Sequence, residues 1–373
     1  MHQAVRSVAV ADKPPRIPPV ALVRAIDKVR AGLQHMHRTL APGGINVLDL
    51  ATGAWVTQAI YVATKLGIPD HVADGPLHAA EVARRVNANP DATFRIMRAL
   101  ASKGVLRQRR DGRFALTSIG KALRTGTPGS MRGMVLWIGH PKRWEDWGHL
   151  LHTVQTGEPA TEMLRGMPVF DYLETDPELA EAFNTAMTSG SEFVIYSTLA
   201  AYDFGRYRTI IDVGGGHGRL LSMILAKTLD ARGVLFDLPS VVEGAGAEMQ
   251  TTGVADRCEV VGGSFFESVP EGGDAYVLKS ILHDWSDDDA ARILRNVRAA
   301  IASGGKLVLL ESVLAERPSS DIGVMFDLEM MVALHGKERT RAEWMTLLRR
   351  AGFRIDRVVN TAGPLAVIEA SPV

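Results

Sequence analysis

The chain runs Ile210-Ile211-Asp212-Val213 straight into Gly214-Gly215-Gly216-His217-Gly218. Clustered glycines after an apolar run let the backbone turn tightly from strand to helix and approach a ligand closely. Asp237 follows at about the ~20-residue spacing at which a carboxylate grips ribose hydroxyls. Loop and acid together point to a ribose-bearing cofactor. Downstream, His283 and Asp284 follow one apolar run, Glu311 ends another, and Glu338 stands in the loop beyond it. An imidazole of ordinary pKa near ~6.5 accepts a proton at neutral pH, and a neighbouring carboxylate fixes its tautomer. A lone histidine is usually structural. His283, however, falls after a parallel strand and before a capped helix, at the ligand edge of such a sheet, which favours proton chemistry.

The loop also discriminates between cofactors. A dinucleotide fingerprint, G-x-G-x-x-G/A, seats pyrophosphate on a helix N-terminus. Counted from Gly214, its last position holds Arg219, and the loop reads G-x-G-x-G. Asp212 at the strand end would repel pyrophosphate but can orient a cationic amino-acid moiety. S-Adenosylmethionine, with its ammonium and sulfonium, is therefore the expected cofactor, and a nicotinamide dehydrogenase is disfavoured. Asp287-Asp288-Asp289 reads as favourable charge at the positive end of a helix rather than as a magnesium site, so no metal is expected.

The elements that must position these residues are visible as periodicity. Strand-like runs at Thr209–Val213, Gly233–Asp237, Glu259–Gly262, Ala275–Leu278 and Lys306–Glu311 alternate with helical stretches. The clearest helix starts at Ser286 as N-cap, carries Ala290, Ile293, Leu294, Val297 and Ile301 on one face, and stops at Gly304-Gly305. This alternation predicts a doubly wound, mostly parallel α/β sheet with its ligand at the carboxyl ends of the strands.

Ahead of it, helices are expected over Val20–Leu40, about Asn46–Leu66, Ala79–Val86 and Asp91–Lys103. A hairpin follows, with strands 105–107 and 113–116 and a turn at Asp111-Gly112, completing the plan of a winged helix. A Thr/Gly/Pro/Ser-rich break at 123–130 divides the chain. The expected parts are an arm over 1–18, a helical winged-helix domain over 19–130, a helical linker and pocket region over 131–200, and the cofactor domain over 201–373.

Composition bounds the rest. With 46% hydrophobic and 23% charged residues, the chain is of the ordinary globular kind. Zero formal net charge gives no global attraction to nucleic acid or anionic membrane. The single cysteine, Cys258, rules out an internal disulfide and suits a reducing cytoplasm. No apolar run approaches the ~20 residues of a membrane span. Met1–Pro19 mixes Arg6, Asp12, Lys13 and Arg16 with prolines and lacks an apolar core, so it reads as a mobile arm rather than a secretory signal.

Four further blocks occur in order: Gly263-Ser264-Phe265-Phe266, then Leu278-Lys279-Ser280-Ile281-Leu282-His283-Asp284-Trp285, then Leu310-Glu311, and Gly336-Lys337-Glu338-Arg339-Thr340. With them the chain, from near Asn46 to about Glu369, resembles the small-molecule O-methyltransferases that act on plant phenolics and bacterial polyketides. The resemblance implies a Rossmann-like seven-stranded class I methyltransferase domain, with Leu365–Ala370 as its reversed last strand. It also implies that the winged-helix domain joins two subunits in a homodimer. The implied cofactor set is Asp212, Gly214, Gly216, Asp237, Leu238, Ser264, Phe265, Lys279 and Trp285, with S-adenosylhomocysteine as product. His283 would be the base, with Asp284, Glu311 and Glu338 beside it, and Phe183, Met187 and Met330 would line an acceptor pocket. The substrate would be a small hydroxylated aromatic, whose phenol, with a pKa near ~10, must lose its proton.

Two departures stand out. Ser264 replaces an aspartate that normally meets the adenine amino group, and His335 replaces a glycine before Lys337. Two other readings follow from the same residues. Arginines on the hairpin (Arg107, Arg109, Arg110, Arg113) would suit a DNA-binding regulator, against which the neutral chain and the apolar face of Phe94, Met97 and Leu100 weigh. Relatives that keep the cofactor but decarboxylate or hydroxylate polyketides need not retain a base, so His283 argues for methylation.

Overall fold

The computed structural model describes residues 16–317 and 322–373. Most of the expected N-terminal arm, residues 1–15, lies outside the described residues. The chain forms two compact units. One comprises Asp27–His149 and Phe170–Phe193; the other comprises Arg16–Ile26, Leu150–Val169 and Val194–Val373. The stretch 131–200, expected as one linker and pocket region, is thus divided between the two. No helix among the described residues is long and apolar enough to cross a membrane.

Helices α1 (Val20–Thr39) and α2 (Gly43–Lys65) open the chain, separated by Pro42. α2 ends at Gly67, whose φ of +69° supplies the left-handed turn. Helices Ala79–Arg85 and Pro90–Ser102 follow; the second is started by Asn89, whose side chain accepts from the Ala92 N–H, and by Pro90 at its first turn. Strands β1 (Leu106–Gln108) and β2 (Phe114–Leu116) pair antiparallel, and Leu77 bridges to Phe114. Ile68, Val82, Met97, Leu100, Leu106 and Phe114 pack into the core of this winged helix.

The second unit is built on strands β3 (Thr209–Val213), β4 (Arg232–Asp237), β5 (Cys258–Gly262), β6 (Ala275–Lys279), β7 (Lys306–Glu311), β8 (Val313–Leu314), β9 (Arg339–Thr340), β10 (Phe353–Asn360) and β11 (Ala366–Pro372). Seven of these form one sheet in the order β10-β11-β7-β6-β3-β4-β5. β3 to β7 run parallel, and β11 inserts antiparallel between β7 and β10, as the resemblance implied. The two-residue period of the strands divides their side chains between two cores. Ile211, Val213, Tyr276, Leu278, Leu307 and Leu309 face one layer of helices. Ile210, Val277, Val308 and Leu310 face the other. With both faces covered, the central strands read as continuous apolar text.

The helix Asp287–Ala300 begins where expected, with the Ser286 hydroxyl accepting from the Asp289 N–H, and it buries Ala290, Ile293, Leu294 and Val297. β10 and the short parallel pair β8·β9 were not foreseen. Ile211 is wholly buried at the centre of the sheet. Truncating it to alanine removes packed methylenes with little room for relaxation, so Ile211→Ala is expected to cost about 2–5 kcal/mol. Urea unfolding checks this, and an unchanged midpoint would contradict it.

Candidate active site

β3 delivers the chain into the glycine loop. Gly214, Gly216 and Gly218 have φ of +70°, +60° and +81°, a region that side-chain-bearing residues rarely adopt. A Cβ on Gly214 would stand 2.5 Å from Ile281 Cδ1, so the loop sits directly on the chain leading to His283. Beside Gly216 the space is open. Its N–H donates to Asp237 Oδ2 at 2.8 Å, and the Leu238 N–H donates to Oδ1 at 2.7 Å. Each carboxylate oxygen has two acceptor sites, so Asp237 retains capacity for further hydroxyls. Leu238 is half exposed at the same strand end.

Asp212, expected to orient a cationic amino-acid moiety, has a carboxylate closed off from solvent. It is buried beneath the loop, where a Cβ on Gly215 would lie 2.7 Å from its carboxyl group. Its Oδ2 has no hydrogen-bond partner, and burial pushes the pKa up to about 7 against the pull of Lys279. Burial likewise holds the Lys279 ammonium down, against Asp212, Glu311 and Asp284. Arg219, which broke the dinucleotide pattern, pairs with Glu248 at 2.8 Å.

On the neighbouring strand end, Ser264 Oγ accepts from the Phe266 N–H at 3.3 Å and caps its own turn. Phe265, Phe266 and Trp285 meet edge to face, with centroids 4.7–6.0 Å apart. Asn296 holds the Phe265 carbonyl at 2.8 Å.

His283 stands on a turn built to stay put. β6 ends at Lys279, and Ser280 takes φ +53°, a costly conformation that surrounding contacts must enforce. The Ser280 N–H donates to the Leu310 carbonyl. Glu311, wholly buried at the end of β7, accepts from the N–H groups of Ile281 and Leu282 at 3.1 and 2.9 Å. Its other oxygen lies 3.9 Å from His283 Nδ1, too far for a hydrogen bond. Glu311 therefore fixes the backbone of the turn, and Glu338 is the ring's partner, with Oε1 2.9 Å from Nδ1. An ionised carboxylate only accepts, so Nδ1 carries the hydrogen and Nε2 is the nitrogen free to take a proton. Asp284 Oδ1 lies 3.4 Å from Nε2.

Glu338 arrives by the unforeseen pairing. β8 leaves Glu311 and pairs in parallel with β9, Val313 opposite Arg339, which draws the Lys337–Thr340 segment to the strand ends. Asp327, which shares the otherwise apolar helix Gly323–Ala333 with one other acid, Glu329, accepts from the Glu338 N–H at 2.9 Å. Gly336 lies so close to the turn that a Cβ there would collide with the His283 carbonyl oxygen and approach the Asp284 carbonyl carbon at 2.6 Å.

The electrostatics change the base expected from sequence. Burial disfavours the charged imidazole, but Asp284, Glu311 and Glu338 outweigh it and raise the His283 pKa to about 10. Burial raises Asp284 to about 6 and Glu311 to about 7. The ring is thus a stronger base than a free imidazole. The ligand atoms of His283, Glu311 and Glu338 lie within 4.8 Å of one another, as do those of Glu158, Glu162 and His335, so each trio could hold a cation. Of the aspartates at 287–289, Asp287 pairs with Lys337 and Arg339, and Asp288 with Arg350.

The expected pocket residues are spread over both units. Phe183 packs edge to face on Trp137 at 5.2 Å and on Phe170 at 6.3 Å in the first unit. Met187, more exposed, belongs to the same unit, and half-buried Met330 belongs to the second.

Residues 147–354 match the O-methyltransferase domain family, and residues 48–126 match the O-methyltransferase dimerisation domain. A phenazine O-methyltransferase of Lysobacter antibioticus is 43% identical over 327 residues, 88% of this chain and 96% of its own. An 8-amino-8-demethylriboflavin N,N-dimethyltransferase of Streptomyces davaonensis is 36% identical, covering 84% and 91%. An O-methyltransferase from neocarzinostatin biosynthesis, solved with S-adenosylmethionine and 2-hydroxy-5-methyl naphthoic acid, superposes with a TM-score of 0.73 at 32% identity, covering 85% and 96%.

The His283 ring is expected to titrate well above its ordinary ~6.5. Glu338→Gln, which removes one of the three raising carboxylates, is expected to bring it down. Carbon-13 imidazole NMR measures both, and a ring that titrates at or below its ordinary value would refute the carboxylate cage.

Proposed function

The chain belongs to the S-adenosylmethionine-dependent O-methyltransferase family, and on that premise we propose that it methylates a phenolic hydroxyl of an aromatic small molecule with His283 as general base. The observation that carries this reading is the junction of loop and base. Gly214 rests on Ile281, two residues before His283, whose Nδ1 is bound to Glu338 at 2.9 Å. A cofactor seated on the glycine loop and a hydroxyl facing Nε2 would then be neighbours, and proximity of that kind supplies much of the acceleration in a displacement.

The residues present fit S-adenosylmethionine. Gly216 offers open backbone beside Asp237, whose carboxylate retains acceptor sites for ribose hydroxyls. Leu238, Ser264, Phe265, Lys279 and Trp285 would complete the nucleoside end, with Ser264 keeping its hydroxyl hydrogen for an adenine nitrogen. When bound, the cofactor supplies an electrophilic methyl group on a cationic sulfur. His283 Nε2 would take the hydroxyl proton and free the acceptor oxygen to bond the methyl carbon, the carbon–sulfur bond breaking to leave S-adenosylhomocysteine. Glu338 keeps the ring oriented, and the carboxylates around it stabilise the imidazolium that results. Met330, in the same unit as His283, is the proposed apolar contact for a flat ring.

The sign of the pH dependence follows. A raised pKa keeps the ring protonated, and so unable to act as base, until the pH climbs towards it. The limb of kcat/KM is therefore expected on the alkaline side of about 6.5, where a free imidazole would place it. His283→Gln is expected to lower kcat by about 10²–10⁴-fold, the usual contribution of a positioned base. S-Adenosylhomocysteine binding by calorimetry should be preserved in that variant. Full turnover of His283→Gln on a panel of phenols and hydroxynaphthoic acids, followed with methyl-labelled cofactor, would sink the base assignment.

The assembly we propose is a homodimer joined through residues 19–130. Leu22, Ile26, Val29, Leu33 and Met36 recur at alternating spacings of four and three along α1, with Leu40 continuing the series just past its end, the pattern of a helix seam, and all are half exposed or more. A second copy would cover them. Placing lysine at both Ile26 and Leu33 is expected to yield a monomer by light scattering, and an intact dimer would exclude this seam.

A further inference from the structure

Arg339 is wholly buried, yet nothing so far explains why a cation belongs there. Its guanidinium is spent almost entirely on backbone. Nη1 donates to the Leu282 carbonyl at 2.9 Å and to the Lys337 carbonyl at 3.2 Å, and Nη2 donates to the Trp285 carbonyl at 3.0 Å. Nε donates to Asp287 Oδ1 at 2.9 Å. The plane lies over the Trp344 ring, 5.2 Å from its centroid, and Trp344 Nε1 donates to the Ser312 carbonyl just past β7. Leu282 and Trp285 flank the His283-Asp284 pair, and Lys337 precedes Glu338. One rigid fork thus grips both segments that carry the two ends of the His283–Glu338 hydrogen bond.

We propose that Arg339 is a positioning residue that sets the His283 ring against Glu338. The proposal rests on His283 as base. Glu311 ties down the N–H groups at the start of the turn, and Arg339 ties down the carbonyls before and after the histidine. Without the fork, the turn and the loop lose their common anchor, although neither carboxylate is altered. A planar guanidinium with five donors satisfies three carbonyls and a carboxylate at once, which an ammonium cannot do. The charged groups within reach of this set are Asp284, Glu311, Glu338, Asp287, Lys337 and Lys279.

Arg339→Lys keeps the charge and loses the fork. Its S-adenosylhomocysteine affinity and its KM for the fastest phenol of the panel should stay within about threefold of the parent. Its kcat should fall about 10- to 100-fold, the scale of a ~1 Å misplacement. The His283 titration, assigned by the signal lost in His283→Gln and read by carbon-13 NMR, should move down towards about 6.5 as the Glu338 contact loosens. Since the charge is conserved, that movement reports geometry. A parental kcat, or a reduced kcat with the His283 titration unmoved or raised, overturns the proposal. Should Arg339→Lys not fold, Asp287→Asn weakens the fork from its half-exposed side. A several-fold lower kcat at the high-pH plateau, with S-adenosylhomocysteine affinity kept, is then expected, and an unchanged plateau ends the idea. An active His283→Gln defeats the base reading itself. An inactive His283→Gln beside a fully active Arg339→Lys defeats only the positioning role.

Discussion

An imidazole facing three carboxylates in a largely closed space is tolerable only as a set. Any one of these charges left alone away from water would be expensive, and breaking such a group is generally far costlier than keeping it. The site is accordingly over-determined. Two backbone N–H groups hold Glu311, a third fixes Asp327 to Glu338, and a left-handed serine starts the turn. Much of the second unit exists to keep these strand ends in register.

The sheet achieves this by dividing labour along each strand. The middles of β3, β6 and β7 are apolar on both faces and sink into the two cores, while their final residues are polar: Asp212 near the end of β3, Lys279 on β6, Glu311 on β7. A parallel sheet brings such ends to one edge, so rigidity and chemistry are segregated by a few residues in each strand. The glycine loop then lies against the turn that carries His283 through one aliphatic contact, Gly214 to Ile281.

Features set by local rules could be read from the chain. Ser286 caps its helix because a hydroxyl before an apolar-periodic run can do little else, and the glycine loop declared itself because only glycine accepts its dihedral angles. Features set by long-range pairing could not. β8 and β9 have two residues each, too few for any periodicity, yet they bring Glu338 to the ring. β10 alternates unevenly at the sheet edge and gave no clean signal. Glu311 and Glu338 looked equivalent as acids near a histidine, and only the fold assigns one to backbone and the other to imidazole. The burial of Asp212 under Gly215 was likewise invisible without the turn. The same three acids were expected beside His283, but how closely they are buried with it, and so how far they raise its pKa, is a property of tertiary structure.

Gly336 carries one more lesson. Its backbone is so near the His283 carbonyl that no side chain fits, whereas the residue before it, His335, projects outward and meets Glu162 at 3.1 Å. The loop is therefore frozen at one position and permissive at the next. A change at 335, or on the helix Ala160–Arg165 that it touches, need not disturb the backbone that sets His283 against Glu338.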